Sequence, residues 1–352
     1  MTDTGAAKSE NVFIDLLKAF FALAILALHT DCFGRYDTLL MPIYRMGVPF
    51  FFVIGSYFFF KKVNKTPNKK QKYVLSQYIK RNLLLYVFWF VCSLPFVYQT
   101  RYAENFENGF LNGVFLMLKS MVFGSTWKAS WYIMASVIGT VLIYFLSRFI
   151  KNNLLFLLSL AVYLFCCACC TWYGLFADDG FIPWFLNLYK TYTTATFYNS
   201  FPVSLIWIML GKIFAEQKVH IKLPYIWLIG SIVLLFAESY LVQYFGIQDG
   251  ANSDAYLMLL PVTALLVYVA LYKNVFHFSG GKFLRAYSVV VYCSQGIWAV
   301  LITGLYAHFG WSGSTWLNFA QCVIAAVCSL LLTAILLAAQ KCRTLRFLKY
   351  AY

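Results

Sequence analysis

The sequence predicts an all-α, polytopic membrane protein of about ten transmembrane helices, with both termini cytoplasmic. Three observations carry this. Of the 352 residues 62% are hydrophobic and only 12% are charged, against about 25% charged in a soluble globular domain. Apolar runs close to the ~20 residues that a spanning helix needs recur along the whole length. The cations fall mostly on alternate connections between those runs. The same composition excludes disorder, which goes with few aromatics, and a short cysteine-dense disulfide scaffold.

The ten runs lie near 13–33, 42–60, 79–99, 129–147, 154–174, 199–216, 224–246, 255–272, 287–309 and 315–340. The first is not a cleavable signal. Its apolar stretch is long, no small-x-small site follows, and Asp15 and Lys18 lie inside it. The sixth and eighth runs are short enough to tilt or break. The largest loops, around 100–128 and 175–198, are each under thirty residues. The expectation is therefore a single transmembrane domain over 1–352 with no appended soluble domain.

A net charge of +15 would suggest nucleic acid if it formed a basic face. With the N-terminus inside, it instead sorts by side. Lys61, Lys62, Lys65, Lys69, Lys70, Lys72, Lys80 and Arg81 share one inner loop and helix start. Arg148 and Lys151 take the next inner connection, then Lys212, Lys218 and Lys222, then Lys273, Lys282 and Arg285. Lys341, Arg343, Arg346 and Lys349 close the tail. With Lys8 and Lys18, 22 of the 28 cations lie inside, and Arg35, Arg45, Arg101, Lys119, Lys128 and Lys190 are left outside. Asp31, Asp37, Glu104, Glu107, Asp178, Asp179, Asp249 and Asp254 also fall outside. The positive-inside rule accounts for the excess, and no nucleic-acid partner is expected.

The ten cysteines lie almost entirely in the runs, four of them as Cys166, Cys167, Cys169 and Cys170. Mid-span thiols behave as small apolar side chains, and no His or acid stands near enough in sequence to complete a metal site. No metal is expected.

Ionisable side chains inside a membrane are costly, which makes each a candidate site residue. The first run holds Asp15, Lys18 and His29. Lys18 and His29 are eleven residues apart, about 20° past three full turns, so they share one helix face about 16 Å apart along the axis. Asp15, three positions before Lys18, can pair with it. The plainer alternative is that Asp15 and Lys18 snorkel to the inner interface and His29 marks the outer one. Of the four histidines only His29 is well placed in a span. His220 and His277 fall in cytoplasmic loops, and His308 at an outer end. A neutral imidazole is the natural proton acceptor near pH 7.

Arg45 opens the second run at the level of His29. Pro49 either kinks that helix or helps to shape a site, since a backbone opened in the membrane needs neighbours to re-satisfy it. Trp127, Trp131 and Tyr132 fit the aromatic belt of a membrane interface. Glu238, in the outer half of the seventh run, has no obvious sequence partner.

Together these residues resemble the acyltransferase-3 family of integral-membrane acyltransferases. Its Asp-x-x-Arg-x10-His pattern is met by Asp15-x-x-Lys18-x10-His29. Its Arg-x-x-Val-Pro-x-Phe-Phe-x-x-Ser-Gly-Tyr pattern is met by Arg45 to Tyr57, with the Ser-Gly pair inverted as Gly55-Ser56. Trp131-Tyr132 resembles the family's Trp-Phe/Tyr-Leu segment. Phe201-Pro202 with Gly211, and Tyr287-Ser288 with Tyr292, match weaker patterns. The resemblance runs in order over almost the whole chain. Two positions depart from it. Lys18 keeps the charge of the usual Arg but loses its planar fork, and Gln295 stands where many members have His.

The resemblance implies transfer of an acyl group, usually acetyl, from cytoplasmic acyl-CoA to a hydroxyl of a cell-surface carbohydrate, in the plasma membrane. His29 is then the general base. Lys18, with Asp15, holds the CoA phosphates or pantetheine arm, and Arg45, Trp131 and Tyr132 bind substrate. The competing function is a transporter of a small polar solute such as an amino acid. Membrane domains of this family also occur fused to racemases, where they resemble amino-acid carriers, and polar midplane residues suit a carrier equally.

Overall fold

The computed structural model describes residues 12–107, 109–128, 130–176, 180–217, 219–247, 254–273, 280–311 and 314–352, without the side chains of 99–101. Lys8, Asp178, Asp179, Lys218, Asp249 and His277, and the side chain of Arg101, lie outside the described residues. Among the described residues there is no strand. The α-helices are α1 (Val12–His29), α2 (Asp37–Arg45), α3 (Gly47–Asn64), α4 (Asn68–Arg101), α5 (Ala103–Glu107), α6 (Phe110–Phe123) and α7 (Trp131–Leu146). They continue as α8 (Asn152–Ala168), α9 (Phe181–Thr193), α10 (Phe201–Glu216), α11 (Pro224–Tyr244), α12 (Leu259–Tyr272), α13 (Gly281–His308) and α14 (Thr315–Ala339).

Each of the ten apolar runs meets a helix, but they are not equal in length. Six stretches are long and apolar enough to cross a membrane: Val12–His29, Gly34–Asn64, Asn68–Tyr98, Pro224–Tyr244, Gly281–His308 and Thr315–Ala339. The other four runs form α7, α8, α10 and α12, of 16, 17, 16 and 14 residues. At 1.5 Å per residue these span about 21–26 Å, short of a ~30 Å hydrocarbon core. The chain is a multi-pass, all-helical membrane protein with six such full-length stretches among the described residues.

Three local departures from the sequence expectation matter for the site. The second run is split. α2 ends at Arg45 and α3 starts at Gly47, so Arg45 closes one helix rather than opening the next. Pro49 is the third residue of α3, in the first turn, where a backbone N–H has no intrahelical partner to lose. It therefore opens no ladder. α4 begins eleven residues before its apolar run, because Lys and Gln are good helix formers and Val74, Leu75 and Tyr78 give that segment a face packed on the main core. The loops 100–128 and 175–198 also carry helices of their own, α5, α6 and α9.

α10 lies at the centre, packed on α3, α7 and α8. Two glycines permit its close crossings. A Cβ on Gly211 would collide with Ser56 Oγ and come within 2.5 Å of the Val53 carbonyl on α3; one on Gly139 of α7 would collide with Ser204 Oγ of α10. Small residues let helix backbones approach where no water separates them. Around this centre α1 packs on α13, α13 on α14 and α11 on α12.

Glu238 is explained by the backbone. Its carboxylate accepts from Leu257 N–H (2.7 Å), Met258 N–H (2.8 Å) and Trp172 Nε1 (3.0 Å). It caps the start of α12, where helix N–H groups are unsatisfied and the dipole favours an anion. Two of its three partners are backbone groups, which no side-chain pattern reveals. Cys166, Cys167, Cys169 and Cys170 are all buried in the main core cluster.

Candidate active site

α1 carries one group of polar residues at each end, as its periodicity predicts. At the outer end, His29 is the last helical residue. Its carbonyl, one of the orphan acceptors of a helix C-terminus, takes a 2.7 Å hydrogen bond from Lys128 Nζ. A cation there also complements the helix dipole. It brings a positive charge from the α6–α7 connection up against the histidine.

His29 lines a cavity of about 340 Å³. Ile25 and Leu28 of α1, Tyr44 and Arg45 of α2, and Val48, Pro49 and Phe52 of α3 form part of its wall. Lys128, Trp131, Tyr163, Tyr198, Asn199, Val203, Trp207, Asp254, Leu259 and Tyr292 complete it. The polar groups are organised around Asp254. Arg45 forms an ion pair with Asp254 Oδ1, Asn199 Nδ2 donates to Oδ2 at 2.8 Å, and the Asp254 N–H donates to Cys170 Sγ at 3.2 Å. One of the four clustered cysteines thus seats the residue that holds Arg45. Arg45 Nε is buried and makes no hydrogen bond. The rest of the wall is mostly aromatic, the usual composition of a small-molecule site with a few convergent polar groups.

At the inner end, Asp15 is 3% exposed and its carboxylate lies between two cations. Lys18 Nζ is 3.9 Å from Oδ1 and Arg285 of α13 donates to Oδ2 at 3.1 Å. Arg81 of α4 is also within electrostatic range of Lys18, whose ammonium lies 5.6 Å from the Phe58 ring. Between the ends of α1, Ala22 and Ile25 occupy the shared face and are buried.

Of the residues picked from the sequence, His29, Arg45 and Trp131 line one cavity. Lys18 and Asp15 form the separate inner group. Tyr132 is behind the wall, its ring 4.5 Å from Phe52 and 5.5 Å from Tyr292, both of which line the cavity. Trp127 is no belt residue. It is 1% exposed and packs 4.9 Å from Tyr86. Gln295 is buried and donates to the Tyr292 carbonyl at 2.9 Å. Asp254, Lys128, Asn199 and Arg285 were legible only as charges or polar residues sorted by side. Nothing in their local sequence marks them as site residues.

The chain matches the model of the acyltransferase-3 family, described as an acyltransferase domain, over residues 11–338. It is 24% identical over 341 residues to an amino-acid racemase of Enterococcus faecalis, covering 92% of this chain and 45% of that protein. A second amino-acid racemase of the same organism is 24% identical over 277 residues, covering 76% of this chain and 36% of the relative. A serine/alanine racemase of Enterococcus gallinarum is 24% identical over 271 residues, covering 74% and 37%. The chain thus spans less than half the length of these relatives. No solved structure matches it. On a match that takes in nearly the whole chain, it belongs to the acyltransferase-3 family of membrane acyltransferases.

Proposed function

We propose that the protein is a plasma-membrane O-acyltransferase. It would move an acyl group, acetyl by preference, from cytoplasmic acyl-CoA to a hydroxyl of an extracytoplasmic carbohydrate. The carrying observation is the placement of His29 in the wall of a largely aromatic cavity, with Lys18 on the same helix about 16 Å inward. In this reading the N- and C-termini and the inner end of α1 face the cytoplasm, in keeping with the distribution of Lys and Arg.

Lys18 and Arg285, which together outnumber Asp15 by one charge, attract the CoA phosphates; Asp15 fixes where those two cations stand. The pantetheine arm follows α1 outward past Ala22 and Ile25, so those packed side chains must yield. In the cavity the imidazole of His29 removes the proton of the acceptor hydroxyl as its oxygen attacks the thioester carbonyl carbon. The new C–O bond forms, the C–S bond breaks, and the imidazolium returns the proton to the departing thiolate. Arg45 offers its unused Nε–H to the oxygen that gains charge in that step, and Asp254 and Asn199 keep the guanidinium oriented. Trp131, with Trp207 and Tyr198, supplies faces on which a sugar can stack, and Tyr132 supports the Tyr292 and Phe52 part of that wall.

A second reading draws support from one feature of the same cavity. The wall carries charges of both signs, Asp254 paired with Arg45 and, separately, Lys128, which suits a zwitterion, and the racemase names of the relatives point to amino acids. In that case the protein carries an amino acid across the membrane. Purified protein given acetyl-CoA and a panel of oligosaccharide acceptors separates the two. Acceptor-dependent release of free CoA, abolished by His29→Ala, is the expected result. Substrate uptake by proteoliposomes with no thioester turnover would instead establish the carrier.

A further inference from the structure

α4 presents a groove that neither end of α1 uses. It has a volume of about 580 Å³ and opens on the outer surface of the helix bundle between α4 and the inner end of α7. Lys72, Ser76, Lys80, Leu83 and Val87 line it from α4 and Phe145 from α7. On a helix these α4 positions fall on one side, with about 12 Å between the two lysines and about 10 Å from Lys80 to Val87. Lys72, Ser76 and Lys80 therefore lie toward one end of the groove, with Leu75 and Ile79 lining the space between the two lysines, and the end toward Val87 is apolar.

The exposed apolar end is large: Leu83 is 38%, Val87 48% and Phe145 42% exposed, and Val91 continues the stripe one turn further. In a helix long and apolar enough to span, such a face meets acyl chains. The lysine end carries two cations from α4, and Arg148, just past the end of α7, stands near the groove with its guanidinium on Tyr144. That guanidinium is also 5.8 Å from the Phe145 ring centroid. Residues 38–103 and 108–177, which include α4, α7 and Arg148, contain no Asp or Glu.

We infer that this groove is a binding site for an anionic glycerophospholipid. The phosphate lies between Lys72, Lys80 and Arg148, the Ser76 hydroxyl is within reach of the headgroup, and one acyl chain runs along Leu83, Val87 and Val91. A basic end above an apolar slot selects for a negative headgroup by charge and for a lipid by shape. A cation beside an anionic headgroup is worth roughly fivefold in affinity.

Native mass spectrometry of the full chain, released from detergent doped with phosphatidylglycerol or phosphatidylcholine, tests this. The unmodified protein is expected to retain phosphatidylglycerol preferentially. Lys72→Gln with Lys80→Gln should lower its affinity for that lipid about thirtyfold and erase the preference. Lys65→Gln with Lys70→Gln changes the net charge equally outside the groove and should leave binding within about twofold. Leu83→Trp with Val87→Trp fills the slot and should displace both lipids while keeping every cation. Equal losses in the two lysine pairs would mean diffuse surface charge and would overturn the site. Unchanged lipid retention in the tryptophan variant would also overturn it; if a dimer is lost at the same time, the slot belongs to a second copy of the chain.

Discussion

The two ends of α1 use similar groups in opposite ways. At the inner end the charges close on one another: Asp15 is buried between Lys18 and Arg285. At the outer end Asp254, Arg45, Lys128 and His29 are spread around a cavity of about 340 Å³. A buried carboxylate must be paired to be tolerated, and both ends obey that rule. They differ in what the pairing leaves over. Inside, the surplus is positive charge near the surface, suited to hold an anion. Outside, it is space, an imidazole and an unused guanidinium N–H, suited to chemistry. The proposed function divides binding and reaction along this single helix.

The largest test of this division is His29→Ala. Loss of a general base should lower kcat by about 10²–10⁴-fold and leave the thermal midpoint and CoA affinity nearly unchanged. Transfer that survives the substitution would remove the outer end from the chemistry. Asp15→Ala should act on stability. It strands Lys18 and Arg285 beside each other and removes a carboxylate hydrogen-bonded to Arg285; a hydrogen bond to a charged group is worth about 1.5–3 kcal/mol, read as a drop in the melting temperature in detergent. A stable Asp15→Ala protein would show that the inner charges are solvated rather than packed.

Asp254→Asn should act only at the outer end. It keeps a side chain able to accept from Asn199 but removes the ion pair that orients Arg45. A hydrogen bond to a charged group is worth about 1.5–3 kcal/mol, so kcat should fall about 10–100-fold with CoA affinity intact. An equal loss of CoA binding would merge the two ends into one site. Lys18→Ala is the smallest expected effect: a rise of about five- to tenfold in KM for acyl-CoA at constant kcat, near the ~1 kcal/mol worth of one partly exposed contact. Lys18→Arg should restore the affinity. If alanine and arginine behave alike, the inner end does not hold CoA.

The parts of the site that were legible in the sequence lie close together in it. Asp15, Lys18 and His29 share one helix, and their spacing alone gives the common face. Arg45 was legible as an outer cation beside an apolar run, although the structure moves it to the end of α2. Trp131 lines the cavity, whereas its neighbour Tyr132 supports the wall from behind, because adjacent helical residues point about 100° apart. Their partners left no such trace. Arg285 is 270 residues from Asp15, and Lys128 is 99 residues from His29. Asp254 precedes a short helix, and its local sequence reads as an ordinary outer loop. The Cys170 thiol that seats it was readable only as an apolar filler.

Hydrophobic periodicity and charge by themselves determined the helical class, the positions of the ten apolar runs that helices meet, and the common face of Lys18 and His29 on α1. These follow from local physics: apolar length for a membrane, and a fixed rotation per residue along a helix. Only the tertiary structure decided that α7 and α8 are short as well as α10 and α12, that the outer charges line a cavity, and that α4 and α7 leave a groove with lysines at one end. Those outcomes depend on which helices touch, and that is set by close crossings at single glycines such as Gly211 and Gly139 and by ion pairs between residues far apart in the chain. No periodicity encodes such contacts, because each joins two segments whose own patterns would be equally satisfied by other neighbours.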